Sequence, residues 1–291
     1  MLYDIISNIN MQKVINKSPP IIDVFMPVYN AQAYLRQALN SVLKQTYPHW
    51  RLLICDDASS DHSWSIIQEF AQKDSRITAI RNRHNLGNGG TTMKMLPKLK
   101  SQYIARMDAD DISMPDRFAK QIKFLQANPQ VVAIGGQCLL IDKKGRVFGE
   151  KKFSTDAKDA YESMFVGVPA QYPAVMFNLK LIPKQKKWYG GISNIIDDVN
   201  LFFNISRFGE ITNLPDYVLK YRIHGQNSTL VDPKKTFRLT FQQRLKAIKT
   251  YHYRPTIKGW LTNFAQLIVV SLVPNKLIVP LFFFTKGVKL S

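Results

Sequence analysis

Tyr103-Ile104-Ala105-Arg106-Met107-Asp108-Ala109-Asp110-Asp111-Ile112-Ser113-Met114-Pro115-Asp116-Arg117 decides how the rest of the chain is read. An apolar run ends in three carboxylates within four positions, and a helix start follows at once. Like charges crowded at a strand end repel one another, so folding stability does not account for them. A hard divalent cation does, because magnesium and manganese prefer oxygen ligands and are often held by one or two carboxylates plus substrate phosphates. The stretch therefore reads as a strand that delivers a metal–phosphate site. Ser113 is expected to cap the next helix, with Pro115 in its first turn and Asp116 near the positive end of the dipole.

Upstream, short apolar runs alternate with helical patterns. Ile21 to Met26, closed by Pro27, reads as a buried strand, and Leu35, Ala38, Leu39, Val42 and Leu43 recur at helical spacing. Leu52 to Cys55 is a second strand that stops at Asp56-Asp57, followed by a helix with Trp64, Ile67, Phe70 and Ala71 on one face. Ile77 to Ile80 is a third strand, Asn85 to Gly90 a loop and helix start, and Tyr103 to Met107 a fourth strand. This alternation predicts a doubly wound, mostly parallel α/β sheet, in which ligands bind beyond the carboxyl ends of the strands. Asp56-Asp57 and the Asp108 to Asp111 cluster both fall at such ends. Further on, Val131 to Ile141 reads as strand with a turn at Lys143-Lys144-Gly145, residues 150–165 as a loop or short helix, Ala174 to Phe177 and Val218 to Ile223 as strands, and Val199 to Ile205 as helix.

Composition narrows the classes. Cys55 and Cys138 cannot staple a secreted framework, and both lie in apolar runs, so they read as buried thiols of a reducing compartment. Asp4, Asn8, Asn10 and Gln12 interrupt the start of the chain, so no secretory signal is expected. The net charge is +19, and the 59 residues after Asp232 carry eleven Lys and Arg with no acidic residue. Such a tail points to nucleic acid or an anionic membrane. Nucleic acid is disfavoured, since neither stacking motifs nor a recognition helix is legible. A dinucleotide oxidoreductase is disfavoured too, because Gly87-Asn88-Gly89-Gly90 follows the third strand.

Five motifs in register resemble the family 2 glycosyltransferases, inverting enzymes of the GT-A fold. They are Met26-Pro27-Val28-Tyr29-Asn30, Asp56 to Asp61, Asp108-Ala109-Asp110-Asp111, Asp197-Asp198 and Tyr221-Arg222-Ile223-His224, in order across roughly residues 20–230. The resemblance implies a DxD motif in Asp108 and Asp110, with Asp110 the direct ligand of Mn2+ or Mg2+ and His224 approaching the metal or diphosphate. It implies that Asp57 accepts a hydrogen bond from the donor base, with Pro27 and Tyr29 beside it and Asp108 and Ala109 also lining the nucleotide. Arg106, Asp111 and Asp197 are expected near the donor sugar or behind the ligands, and Asp198 as the base that deprotonates the acceptor hydroxyl. Asp56 fits a turn with Ser59 and Ser60. Two departures stand out. Thr91-Thr92-Met93-Lys94 occupies the place where many members carry an Arg, so Lys94 or the amides of Gly87 to Gly90 are candidates for the phosphates. Gln171 or Tyr172 stands where a His is usual.

The expected organisation is a tail (1–18), a catalytic domain (19–230, divided at 117/118 into nucleotide and acceptor halves) and basic, amphipathic helices (231–291). Trp260, Leu261, Phe264, Leu267, Ile268 and Leu272 fit one helical face, and Leu277 to Phe284 is a second apolar segment, but Pro274 and Pro280 keep both short of the ~18–20 residues of a spanning helix. They read as an in-plane membrane anchor or as a helical pair packed on the domain, and the two are compatible. Together these readings predict a transferase using a nucleotide-diphosphate sugar, UDP-linked by preference, and a glycan or lipid-linked acceptor in surface-polysaccharide assembly. It would be peripheral on the inner face of the cytoplasmic membrane. A catalytically silent scaffold of the same fold is the alternative.

Overall fold

A computed structural model describes residues 18–183, 188–190, 196–224, 232–275 and 277–278. Nearly all of the expected N-terminal tail and most of the apolar segment through Phe284 lie outside them. The first half is a strand–helix alternation: β1 Ile22–Val28, α1 Leu35–Leu43, β2 Trp50–Asp56, α2 Ser63–Lys73, β3 Ile77–Arg81, α3 Gly87–Met95 and β4 Tyr103–Arg106. The second half is less regular. It comprises β5 Ile112–Ser113, α4 Arg117–Ala127, β6 Val131–Ile141, β7 Val147–Lys151, α5 Ala157–Ser163, β8 Met176–Asn178, α6 Asp197–Ile205 and β9 Glu210–Arg222, and then α7 Pro233–Tyr251 and α8 Ile257–Leu272.

Among the described residues one sheet runs in the order β3-β2-β1-β4-β8-β6-β9-β5, with β7 on β6. The parallel pairing expected from sequence holds for β3, β2, β1 and β4. Beyond β4 the sheet is mixed, because β8 is antiparallel to both β4 and β6 while β9 is parallel to β6. The alternation of side chains along β1 sets the two faces: Ile22, Val24, Met26 and Val28 pack with α1, α2 and α4, while Phe25 joins Cys55 and Ile104 in a second core beneath α5, α6 and α7. Both cysteines are buried and unpaired, and burial raises Cys55 to about 11 and Cys138 to about 12.

Two local expectations are corrected. β1 does not end before Pro27 but continues through Val28, because β4 stops pairing at Arg106 opposite Phe25 and leaves no neighbour on that side to require the missing N–H. Ser113 does not cap α4. Its backbone pairs with β9 and its hydroxyl accepts from Gln45, so Asp116 becomes the helix-flanking residue, and it bonds Lys120 instead of a free amide.

Gly135 shows how tightly β6 is placed. A Cβ there would lie 2.8 Å from that of Ala170 and would strike the Asn213 carboxamide, which holds Pro169 and Ser154 through their carbonyls. Gly135→Ala is expected to lower stability by about 1–3 kcal/mol, read as a fall in Tm; an unchanged Tm would show that the 169–171 wall yields freely.

The C-terminal helices pack on the domain and leave an apolar face outward. Tyr251 on α7 donates to Asn200 on α6 at 3.0 Å, and Tyr253 donates to the Tyr161 carbonyl at 2.9 Å. Gly259 and Asn263 of α8 are buried, whereas Trp260, Leu261, Phe264, Leu267, Ile268 and Leu272 face outward. No described helix is long and apolar enough to cross a membrane.

Candidate active site

The chain leaves the sheet at Arg106, and the next turn brings Asp108, Asp110 and Asp111 together, with ligand oxygens within 4.8 Å of one another. Three guanidinium groups, each at most 1% exposed, hold this turn from different elements: Arg106, Arg117 and Arg222. Arg106 donates from Nε to Asp108 Oδ1 at 2.8 Å, from Nη1 to Thr92 at 2.9 Å and from Nη2 to Asn88 at 2.9 Å. Its guanidinium lies 4.9 Å from the Tyr172 ring centre and 5.4 Å from that of Phe25. Arg117 donates to the Arg106 carbonyl at 2.8 Å. Arg222 donates from its backbone N–H to Asp111 Oδ1 at 2.8 Å and from Nε to the Asp110 carbonyl at 2.7 Å. His224, stacked on Tyr34, lies 2.8 Å through Nε2 from Asp110 Oδ2.

Electrostatics follow from this enclosure. Burial raises the Asp108 carboxyl, offset by Arg106 and reinforced by Asp110. Burial and both neighbouring aspartates carry Asp111 well above the usual carboxylate range. Burial pulls Arg106 down, but Asp108, Tyr172 and Tyr189 outweigh it and hold the guanidinium above its ordinary value, whereas burial lowers Arg117 to about 10. Asp111 Oδ2 is buried with no hydrogen-bond partner among the described residues. An acceptor-only oxygen left in this way, beside two further carboxylates, fits a hard divalent cation.

A second polar cluster forms where β1 and β2 end. Asp57 Oδ1 accepts from Asn82 at 2.7 Å and from the Leu86 N–H at 2.8 Å. Tyr29 is half exposed beside it, on a chain that turns at Asn30 with φ 47°. Asp56 pairs with Arg81 at 2.9 Å and accepts from the Ser59 N–H, as a strand-end turn requires. Two phosphate candidates are engaged elsewhere: the Gly87 N–H donates to Asn85, and Lys94 donates to Asn82 Oδ1 at 2.7 Å. Gly87 instead serves the backbone, at φ 72°. Thr92, in the place of the missing arginine, is met by Arg106 arriving from β4.

The third group is the acidic pair. α6 begins at Asp197, so both acids sit in its first turn rather than before it, where the dipole favours their charge. Asp198 is half-buried and accepts from the Val199 N–H; burial raises it to about 6, with Lys151 opposing and Asp197 adding to the shift. The Gln171 and Tyr172 pair divides, Gln171 accepting from Lys151 at 2.7 Å and Tyr172 facing Arg106. Tyr172 and Tyr221 each feel the charge of Asp198 and of carboxylates in the triad, so the acidic pair lies on the triad's side of the sheet.

Sequence reading passes over Arg117, Asn82, Lys151 and the part played by Arg222. The available signal is a charged residue in an otherwise apolar or buried position, as at Arg222 inside β9. Nothing local says what it holds.

Residues 23–166 match the family model described as Glycosyl transferase family 2. This stretch is a family 2 glycosyltransferase domain. The chain is similar, at low identity, to Escherichia coli WfaP, a UDP-Glc:alpha-D-GlcNAc-diphosphoundecaprenol beta-1,3-glucosyltransferase: 27% over 241 residues, covering 80% of this chain and 89% of that one. Among solved structures, S. aureus TarS residues 1–349 with UDP-GlcNAc superposes with a TM-score of 0.58 at 14% identity, over 86% of this chain and 81% of that one. The mannosyltransferase PcManGT from Pyrobaculum calidifontis, with GDP-Man and Mn2+, gives 0.56 at 13% identity, over 94% and 89%. At such identities the likeness is one of fold, and it is the GT-A fold that the family 2 motifs imply. The chain is accordingly a glycosyltransferase, with the parallel half of its sheet leading to the carboxylate triad.

Proposed function

We propose that this family 2 transferase moves a sugar from a nucleotide-diphosphate donor, UDP-linked, to a hydroxyl of a lipid-linked glycan, with inversion at the anomeric carbon. The observation that carries the proposal is the Asp108–Asp110–Asp111 triad, tied through Arg106, Thr92, Thr91 and Asn82 to Asp57. Asp57 has Oδ1 saturated by Asn82 and Leu86, leaving its other oxygen to accept an N–H from the base, with Tyr29 against the ring. Asp108 and Asp110 are the direct holders of Mn2+ or Mg2+, and Asp111 and His224 border them. A divalent cation there would neutralise charge developing on the leaving diphosphate. Arg106 fixes Asp108, and Arg222 fixes the Asp110-Asp111 turn. Asp198 takes the proton of the acceptor hydroxyl as it attacks, and its raised pKa suits a base operating just above 6.

The UDP preference and the lipid-linked acceptor are supported by the printed activity of WfaP and by the UDP-GlcNAc bound to TarS. PcManGT, which binds GDP-Man with Mn2+ on the same fold, supports the metal and shows that fold alone leaves the base open. The basic C-terminal region supports a peripheral position on the cytoplasmic face of the membrane, in surface-polysaccharide assembly such as that of capsule or lipopolysaccharide.

Calorimetric titration of UDP, GDP and dTDP, with and without Mn2+, tests the reading on the full chain and on Asp110→Ala. Metal-dependent binding of UDP, lost in the variant, is the expected result. Preference for another nucleotide would overturn the UDP assignment. Binding of none would overturn the donor site and leave a scaffold.

A further inference from the structure

The outward faces of α7 and α8 differ in chemistry in a way that a domain-packing role leaves unused. The helices form an antiparallel hairpin: a short turn joins them, and Asn275, just after α8, donates to Asp232 ahead of α7. Ile257, Leu261, Phe264, Ile268 and Leu272 step along α8 by three or four residues and so share one stripe. All are exposed, with Leu261 at 67% and Phe264 at 66%. Trp260, Leu267 and Val269 widen the stripe, and Lys258 is the only ionisable residue in the helix. On α7, Lys235, Arg238, Lys246 and Lys249 are exposed and recur at helical spacing on the side away from buried Arg244 and Ala247. No acidic residue follows Asp232 to oppose them.

We propose that these two faces form a docking surface for an anionic lipid bilayer, with the apolar stripe of α8 entering the interface and the basic stripe of α7 meeting headgroups. Charge selects the occupant. A second copy of the chain would bring like charge against the basic stripe, whereas an anionic leaflet attracts each Lys and Arg near its surface. The proposal deepens the membrane part of the proposed function and rests on it. It adds an orientation to the active site, because the inner side of α8 is seated rigidly: Asn263 donates to the Phe165 carbonyl, Gln266 donates to that of Val166 at 3.2 Å, and Trp260 meets the Phe165 ring edge-on. The 161–166 segment runs on to Gln171 and Tyr172, and α7 bonds α6, which begins with the acidic pair. Docking through the hairpin would therefore present the cleft to the membrane at one fixed angle.

Flotation of the full chain with vesicles of phosphatidylcholine, with or without one-third phosphatidylglycerol, tests the assignment. Wild type should float with the anionic vesicles only, less so as salt rises. L261E/F264E, at positions exposed enough to leave folding intact, should bind at least about tenfold more weakly while keeping wild-type nucleotide binding. K235E/K246E should lose the anionic preference. Asp110→Ala should float like wild type, so failure of the donor site and failure of the docking surface are read separately. Undiminished flotation of L261E/F264E, or a wild-type dimer that this variant turns into a monomer, would overturn the proposal.

Discussion

Asp198→Asn is expected to reduce kcat by about 10²–10⁴-fold while nucleotide affinity stays near that of wild type, because removing the proposed general base removes only what is used in the transition state. The pH dependence is the sharper measurement. Burial destabilises the charged carboxylate and raises its pKa to about 6, so the base is ionised above that value and protonated below it. Wild-type kcat/KM is therefore level at neutral pH and falls as pH drops through 6, approaching one decade per pH unit. The residual activity of the Asn variant lacks this limb. Lys151 supplies a check, since its charge opposes the upward shift: Lys151→Met moves the limb to higher pH. A wild-type rate in Asp198→Asn, or an unmoved limb in both variants, would transfer the base role elsewhere.

Arg106→Met lowers stability by about 3 kcal/mol and weakens metal-dependent nucleotide binding by about 10–100-fold. The first effect comes from stripping a buried guanidinium from Asp108, Thr92 and Asn88 together. Asp108 keeps partial contact with water, which holds the cost near the low end for a broken buried pair. In a chain of this size that is a fall in Tm of roughly 5 °C. The second effect comes from losing the group that fixes Asp108 Oδ1 in place. Arg106→Lys recovers only part of either, since a single ammonium cannot reproduce the planar fork that reaches three acceptors at once. Calorimetry and thermal unfolding of the two variants check this. Binding left intact in Arg106→Met would reduce Arg106 to a packing role.

Much of the parallel half of the fold is legible in the sequence because its signals are local. Apolar runs closed by Asp, Asn or Gly mark buried strands, and Leu35, Ala38, Leu39 and Val42 mark the inner face of α1. The same logic misjudges Pro27, whose tolerance depends on where β4 stops pairing, and Ser113, which a distant strand claims before it can cap a helix. The mixed half is harder to read, because antiparallel β8 is only three residues long and β9 carries polar side chains through thirteen.

For the site, residue chemistry singles out the triad, and the resemblance to family 2 adds Asp57, Asp198 and His224. The alternation of strand and helix accounts for Asp57 and the triad lying at strand ends. What the chain by itself determined was thus which carboxylates gather and on what kind of scaffold. Only the tertiary structure decided how they are held. Arg222 reaches Asp111, and His224 reaches Asp110, across more than a hundred residues, through the register of β9 on β5 and β6. Lys94 turns back to Asn82 beyond the end of β3, and α8 keeps its apolar stripe outward because Asn263 and Gly259 take the inner side. Periodicity arises between neighbours along the chain, whereas ion pairing and burial depend on which distant element arrives.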